Sequence, residues 1–227
     1  MAPGTDGFIE TERKYEAGPA FVLPGLAGVA GVAAVTGQRT HRLRAVYFDT
    51  ADLRLAAARI TLRRRTGGTD AGWHLKLPAG VDSRREVHAP LTRAARTVPA
   101  SLAARVAGWT AGEPLAPIAR LETARTVRYL TGQDGQPLAE VADDLVTGAL
   151  PEPAPEPAQG RGGRPRWRVV SRWREIEVEL AGGTRDLLGA VGGALVQAGA
   201  EPSAAASKLS RLLAAAGPPG SGTPAGG

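Results

Sequence analysis

Alternation of apolar and polar residues with a period of two is the dominant pattern along this chain, as in "FIETERKYEA", "HRLRAVYFDT" and "WREIEVEL". A period of two predicts β-strands that bury one face only. Glycine-containing turns separate two pairs of these segments, which are therefore expected to form hairpins. The strands predicted in this way cover residues 8–16, 41–50, 59–67, 71–80, 82–90, 119–130, 136–146 and 167–180.

Helical periodicity is confined to a few segments between and after the predicted strands. "ADLRLAA" predicts a short helix with Asp49 or Thr50 as its N-cap. Strands joined by hairpins, with few helices among them, indicate an α+β fold with an antiparallel sheet rather than a parallel one. The other helical predictions are 91–109, 184–199, 203–215 and, as a loose helix or helix-like loop, 19–35.

Proline and glycine mark the segments that we expect to lack regular structure. Residues 1–7 are expected to form a disordered N-terminus, and residues 216–227 a flexible tail. The segment 151–166, "PEPAPEPAQGRGGRPR", is expected to be a disordered loop. Because strand-like sequence resumes after this loop, we expect a single domain over residues 8–215.

The amino-acid composition limits the kinds of functional site that this chain can form. The 227 residues include no cysteine, which excludes disulfides and thiol catalysis, and three histidines without a pair at helical spacing, which disfavours a zinc site. A signal-peptide pattern and an apolar run of about 20 residues are both missing, so we expect a cytoplasmic protein without membrane contact. The formal net charge of +6 suggests an anionic partner.

Side chains at odd- and even-numbered positions of a strand point to opposite faces, a rule called strand parity below. Sorted in this way, the predicted strands carry charges of both signs on one face. One interpretation is a half-exposed sheet whose charged face meets water. The other is a lined cavity, because like charges in a row repel each other unless a cation lies among them. In a cavity, carboxylates would bind Mg²⁺ or Mn²⁺, and Arg and Lys would bind phosphate oxygens. The sets that share a face are Glu10, Glu12 and Lys14; Arg63 and Arg65; His74 and Lys76; Arg84, Glu86 and His88; Glu140 and Asp144; Glu175, Glu177 and Glu179.

The ordered motifs resemble a known family. "ETERK" is similar to the E-x-E-x-K signature of the CYTH family, also called triphosphate tunnel metalloenzymes, and "LRRRTGG", "WHLKLP", "AEVADD", "WREIEVEL" and "SKLSRLL" extend the resemblance over about residues 8–213. The resemblance implies an eight-stranded antiparallel closed β-barrel, a tunnel, with helices packed outside. It also implies activity on a triphosphate with Mg²⁺ or Mn²⁺ as the cofactor.

The resemblance also implies roles for individual residues, and all three lysines of the chain are among them. The aspartate after "AEVA" is either Asp143 or Asp144, and parity with Glu140 favours Asp144. Either Glu86 or the pair Glu177 and Glu179 is expected to orient the attacking water. The implied metal ligands are Glu10, Glu12, Glu177, Glu179 and Asp144; the implied phosphate-binding residues are Lys14, Arg63, Arg65, Lys76, Arg125 and Lys208; the implied catalytic residues are Glu10, Glu12, Lys14, Glu86, Glu177 and Glu179.

The expected activity is hydrolysis of inorganic tripolyphosphate to pyrophosphate and phosphate. Adenylyl cyclase and thiamine triphosphatase, which share the fold, are alternatives within the family. A polyphosphate-binding module without turnover is a further alternative, because in bacteria this domain is often fused to a polyphosphate-binding CHAD domain. A CHAD-type partner or fusion is therefore conceivable. Nucleic-acid binding is not expected, since only the net charge and the loop arginines suggest it.

Overall fold

The computed structural model describes residues 7–93, 97–152 and 165–217. The predicted disorder of residues 1–7, 151–166 and 216–227 falls almost entirely outside these ranges. The strands are β1 Phe8–Ala17, β2 Ala34–Asp49, β3 Thr61–Thr66, β4 Gly72–Gly80, β5 Ser83–Ala89, β6 Ala116–Thr131, β7 Pro137–Pro151, β8 Trp167–Leu180 and the short β9 Glu201–Pro202. The helices are α1 Arg54–Ala57, α2 Ala100–Thr110, α3 Arg185–Gln197 and α4 Lys208–Ala216.

Eight of the strands close into an antiparallel barrel in the order β1-β5-β4-β3-β2-β6-β7-β8, with β8 pairing back onto β1. Strand β1 completes the barrel because its two halves have different partners. Glu10 lies opposite Arg84 of β5, and Lys14 lies opposite Glu177 of β8. The predicted α+β fold with an eight-stranded closed barrel is confirmed.

Helices cover two sectors of the outer surface of the barrel. Helix α3 packs its leucines and valines against β1, β7 and β8, around Tyr15 and Ile176. Helices α1 and α2 pack against β2 to β5, where Trp73 and Phe48 are buried with ring centroids 5.0 Å apart. Burial of this apolar surface, at about 25 cal/mol per Å², is the main term that stabilises the barrel from outside.

Helix α4 packs differently, against inward-facing residues at one end of the barrel. Its Leu209 and Leu212 are buried with Leu121 of β6 and Trp173 of β8. Gly148 of β7 leaves room for this contact, because a Cβ there would lie 2.7 Å from a methyl group of Leu212. The helix therefore covers one end of the interior, with its N-terminus directed at the centre.

Two local predictions differ from the structure. Residues 19–33 form turns instead of a helix, since Gly28, Ala30 and Gly31 adopt φ angles of 84°, 45° and 85°, which an α-helix cannot contain. Strand β2 starts at Ala34, earlier than the predicted residue 41. It pairs with β6 from its first residue, and this tertiary pairing extends the strand beyond its alternating segment.

The start of α1 uses both predicted capping side chains, although the N-cap position itself is Leu53. The Asp49 carboxylate accepts hydrogen bonds from the backbone N–H groups of Leu55 and Ala56. Thr50 Oγ1 accepts one from the N–H of Arg54.

In the ranges that the structure covers, every helix is too short or too polar to cross a bilayer.

Candidate functional site

A cavity of about 300 Å³ lies inside the barrel. Fourteen of its twenty lining residues are charged, seven acidic and seven basic, so the charged strand faces surround a cavity instead of meeting bulk water. Asp144 lies outside this lining, deeper in the barrel wall. The site residues predicted from the sequence that do line the cavity are Glu10, Glu12, Lys14, Arg63, Arg65, Lys76, Glu86, Arg125, Glu177, Glu179 and Lys208.

The charges are segregated around the barrel. The neighbouring strands β7, β8, β1 and β5 form the acidic half, and the neighbouring strands β4, β3, β2 and β6 form the basic half. Lys14 on β1, Arg84 on β5 and Lys208 on α4 are the cations of the lining that lie within the acidic half. The acidic half contributes Glu140, Glu177, Glu179, Glu10, Glu12 and Glu86, and the basic half contributes Lys76, Arg63, Arg65 and Arg125.

Glu179 is the least compensated carboxylate of the acidic half. It lies opposite Glu12 of β1 on one side and Glu140 of β7 on the other. Its oxygens form no hydrogen bond or ion pair with any residue in the described ranges. Burial, together with the negative charges of Glu12, Glu177 and Glu140, raises the pKa of Glu179 to about 7. Carboxylates that converge from three strands suit a hard divalent cation such as Mg²⁺ or Mn²⁺.

Lys14 neutralises part of the same half. Its Nζ lies 2.5 Å from Glu12 and 2.8 Å from Glu177. Although burial opposes the effect, Lys14 helps to lower the pKa of both carboxyl groups. Glu12 and Glu177 therefore stay ionised and available to a cation or to the ammonium group.

Glu10 and Glu86 form a carboxyl pair beside Lys76. Lys76 Nζ lies 2.5 Å from Glu10 Oε2 and 3.3 Å from Glu86 Oε2. Burial, reinforced by a hydrogen bond to Glu86, raises the pKa of Glu10 to about 8. Despite its own burial, Glu86 has a pKa well below its usual range because His74, His88, Glu10 and Lys76 stabilise its charge. Glu86 thus carries the negative charge of the pair.

The basic half presents guanidinium groups that are not fully paired. Arg63 Nη1 donates to the Tyr47 hydroxyl at 3.4 Å, and within the described part of the chain Arg63 has no carboxylate partner. Arg65 pairs with Asp70 of the β3–β4 turn. The Nε groups of Arg63 and Arg65 are buried without an acceptor. Phosphate oxygens are acceptors that match such unpaired N–H groups.

Asp144 anchors Arg125 at the border between the two halves. Arg125 donates to Asp144 from Nε at 2.9 Å and from Nη2 at 2.7 Å, and it also reaches Glu177 at 2.6 Å. Asp143 points away from this cluster and pairs with Arg174. The structure therefore places Asp144, the residue that parity favoured, with the interior charges.

Lys208 brings a second ammonium group into the acidic half from α4. It lies 2.9 Å from Asp144, 2.5 Å from Glu175 and 2.8 Å from Glu177. The Ser207–Ser210 capping box starts α4 at this point and orients the lysine inward. Trp173 Nε1 donates to Glu175 at 2.6 Å and holds the carboxylate in place.

Several residues of the site were not among the predicted ones. Strand parity had placed Glu140, Glu175 and Arg84 on the charged faces, but the resemblance to the family assigned them no role. Tyr47, by contrast, carries no sequence signal that points to Arg63. Its contact with Arg63 arises because β2 and β3 are paired.

The closed barrel, its internal cavity and the opposed acidic and basic halves are the features of a triphosphate tunnel protein. The chain belongs to the CYTH family, whose CYTH domain profile matches residues 9–210. The family comprises the triphosphate tunnel metalloenzymes, which act on triphosphates and depend on a metal ion.

Two curated proteins from Mycobacterium tuberculosis are similar over almost the whole chain. These are the uncharacterized proteins MT2285, of strain CDC 1551 / Oshkosh, and Rv2226, of strain H37Rv, each 43% identical over 225 residues. The matches cover 96% of this chain and 42% of each relative. The chain thus spans less than half the length of these relatives.

Two solved structures align with this chain at low sequence identity. A Bacillus halodurans protein, provisionally named an adenylate cyclase, aligns with a TM-score of 0.52 and 17% identity over 89% of this chain and 96% of its own. HpAC1 from Hippeastrum, described as having a dominant triphosphatase activity, aligns with a TM-score of 0.44 and 17% identity over 90% and 94% of the two chains. The first of these likenesses shows the fold.

Proposed function

We propose that this protein is a divalent-metal-dependent hydrolase that cleaves inorganic tripolyphosphate to pyrophosphate and phosphate. The observation that carries the proposal is the cavity in which an acidic half faces a basic half. Its seven acidic and seven basic residues suit a polyanion together with a cation. A protein that only bound polyphosphate would gain nothing from glutamates that face its anionic ligand.

Glu10, Glu12, Glu177 and Glu179 fit a divalent cation by the chemistry of their donor atoms. Burial, together with neighbouring carboxylates, raises the pKa of Glu10 and of Glu179, and a bound cation would favour the ionised form of both groups. When bound, Mg²⁺ or Mn²⁺ would neutralise phosphate charge and polarise the phosphoryl oxygens. Asp144 already accepts hydrogen bonds from Arg125 and Lys208, so we assign it chiefly to positioning these two cations.

The cations of the cavity would hold the phosphate chain. Arg63, Arg65 and Lys76 lie in the basic half, and Lys14, Arg125 and Lys208 lie in or beside the acidic half. Binding from both sides would fix the terminal phosphoryl group for in-line attack by water, and positioning of this kind supplies most of the catalysis in phosphoryl transfer.

Glu179 is the best candidate to orient the attacking water. The oxygens of Glu86 are engaged by His74, His88 and Lys76, whereas those of Glu179 have no partner within the described ranges. Of the sequence candidates for orienting the water, Glu86 and the Glu177/Glu179 pair, we therefore assign this role to Glu179.

The size of the cavity supports an inorganic substrate. About 300 Å³ is at the lower end for small-molecule sites, and the lining is mostly charged. The nucleoside or thiamine group of a larger substrate would have to extend beyond this cavity. Phe8, which lies in the lining and is half exposed, packs edge-on against His88, with ring centroids 5.3 Å apart.

A substrate panel tests the proposal. Purified protein would be incubated with tripolyphosphate, ATP, thiamine triphosphate or long-chain polyphosphate, each with Mg²⁺ or Mn²⁺, while phosphate and cyclic AMP are measured. We expect the highest kcat/KM for phosphate release from tripolyphosphate and no cyclic AMP from ATP. Failure to release phosphate from tripolyphosphate with either metal would refute it, and tight binding of polyphosphate without turnover would instead identify a binding module.

A further inference from the structure

Two histidines and a glutamate converge at the edge of the cavity, where β4 pairs with β5. His74 lies directly opposite His88 in this pair, and Glu86 precedes His88 on the same face. His74 Nδ1 is 2.7 Å from Glu86 Oε1, and His88 Nε2 is 3.1 Å from the same oxygen. Three potential metal-ligating atoms thus lie within 4.8 Å of one another.

A neutral His74 ring cannot satisfy both of its polar contacts. Its Nε2 lies 2.9 Å from the backbone carbonyl oxygen of Asp70, which can only accept, so Nε2 carries the hydrogen. The Nδ1 of a neutral ring then presents a lone pair to Glu86 Oε1, which is an acceptor as well. Two acceptors at 2.7 Å need a proton or another cation to stabilise them.

We propose that His74, Glu86 and His88 form a second metal centre, separate from the carboxylates Glu10, Glu12, Glu177 and Glu179, which binds a transition-metal dication such as Zn²⁺ or Co²⁺ in preference to Mg²⁺. Imidazole nitrogen selects metals of this class, whereas Mg²⁺ requires oxygen ligands. The proposal is independent of whether tripolyphosphate is the substrate.

The geometry fits such a centre. Bonds of about 2.0–2.2 Å to one ion place neighbouring ligand atoms roughly 3 Å apart, close to the separations between Glu86 and the two rings. The bond from His74 to the Asp70 carbonyl is the outer-shell contact that metal-ligating histidines usually make. His88 lines the cavity, and its side chain is 42% exposed, so an ion could reach the centre.

An ion at this centre would also organise the phosphate-binding side of the cavity. Glu86 would bind it through Oε1 while Oε2 remains 3.3 Å from Lys76. Occupancy would therefore fix the orientation of Glu86 and, through it, of the Lys76 ammonium group. The histidines are fourteen positions apart and meet only through strand pairing, so the search for helical spacing in the sequence could not have revealed this cluster.

Titration with Zn²⁺ under nitrogen-15 NMR of the imidazole groups tests this centre, and the three histidines of the chain make the assignment tractable. We expect Zn²⁺ to shift the His74 and His88 signals and to leave His41 unchanged, and Mg²⁺ to shift none of them. By calorimetry, His88→Ala should weaken Zn²⁺ binding about 10- to 100-fold, while His41→Ala should not.

Three outcomes would overturn the proposal. The first is unchanged His74 and His88 signals at saturating Zn²⁺. The second is equal Zn²⁺ affinity of the wild type and a folded His88→Ala protein, whose fold circular dichroism would verify. The third is loss of the histidine shifts in Glu179→Gln, since that would place the ion among Glu10, Glu12, Glu177 and Glu179.

Discussion

Lys208 Nζ lies 2.9 Å from Asp144 Oδ2, and both side chains are buried. The pair joins the last helix of the domain to a barrel strand. The negative charges of Asp144, Glu175 and Glu177 raise the pKa of Lys208 although its burial opposes the shift. The ammonium group is therefore the counter-ion of a cluster of carboxylates that is buried away from solvent.

Replacement of Lys208 by Met should destabilise the protein by about 3–5 kcal/mol, because it leaves buried carboxylates without this cation. Without the ammonium group their folded-state pKa values rise above those of the unfolded chain. The deficit should then be largest at high pH and shrink as the pH falls and the carboxylates take up protons. Urea unfolding at pH 5 and pH 8 measures both effects.

Arg211→Met is the matched control on the same helix. The Arg211–Glu16 pair is more exposed than the Lys208 cluster, with side-chain exposures of 22% and 40%. Its loss should cost less than about 1 kcal/mol. Equal deficits for the two variants would show that the buried cluster has no special role in stability.

The stability of the metal-free protein should fall as the pH rises from about 4.5 to 8. Glu179 and Glu10 have folded-state pKa values of about 7 and about 8, above the ordinary carboxyl value of 4.5. The folded state therefore binds more protons than the unfolded state in this window, and stability declines with pH. Thermal unfolding in EDTA across this range measures the slope, which Glu179→Gln should reduce and the exposed Glu122→Gln should leave unchanged.

Arg63→Ala should lower kcat/KM for tripolyphosphate by about 100-fold, the size of effect seen when one donor to a developing charge is removed. Stability should change little, since Arg63 is half-buried and has no carboxylate partner within the described residues. Arg64→Ala, on the opposite face of β3, is the control. Comparable losses of kcat/KM in both variants would contradict the assignment of Arg63 to the phosphate chain.

Glu12→Gln should reduce kcat by about 100-fold or more while leaving the affinity for tripolyphosphate nearly unchanged, because Glu12 is proposed to hold the cation. The same substitution should diminish the rise in Tm that Mn²⁺ produces in the wild type. Steady-state kinetics and thermal unfolding with and without Mn²⁺ test the two expectations. A variant with normal kcat and a normal Mn²⁺ effect would remove Glu12 from the metal site.

Much of the candidate site could be predicted from parity alone. Glu10, Glu12 and Lys14 share a face because side chains alternate along a strand, and the same rule favoured Asp144 over Asp143. It also placed Glu175 and Glu140 on the charged faces, although neither was assigned a role. The loose helix or helix-like loop expected over 19–35 rested on small apolar residues instead, and glycines and positive φ angles impose turns on residues 19–33.

Other features depend on contacts between residues that are distant in the chain. Lys208 meets Asp144 only because α4 covers an end of the barrel. His74 meets His88 only through the register of β4 and β5. Local propensity does not encode such contacts, since they arise when long-range pairing brings strands or helices together.

The sequence by itself determined which side chains share a face of each strand. Its ordered motifs also indicated the family to which the chain belongs. The tertiary structure decided that the charged faces turn inward and that acidic strands stand across from basic ones. The physical reason is closure: β1 pairs with β5 through its first half and with β8 through its second, which turns a two-sided sheet into a barrel with an interior.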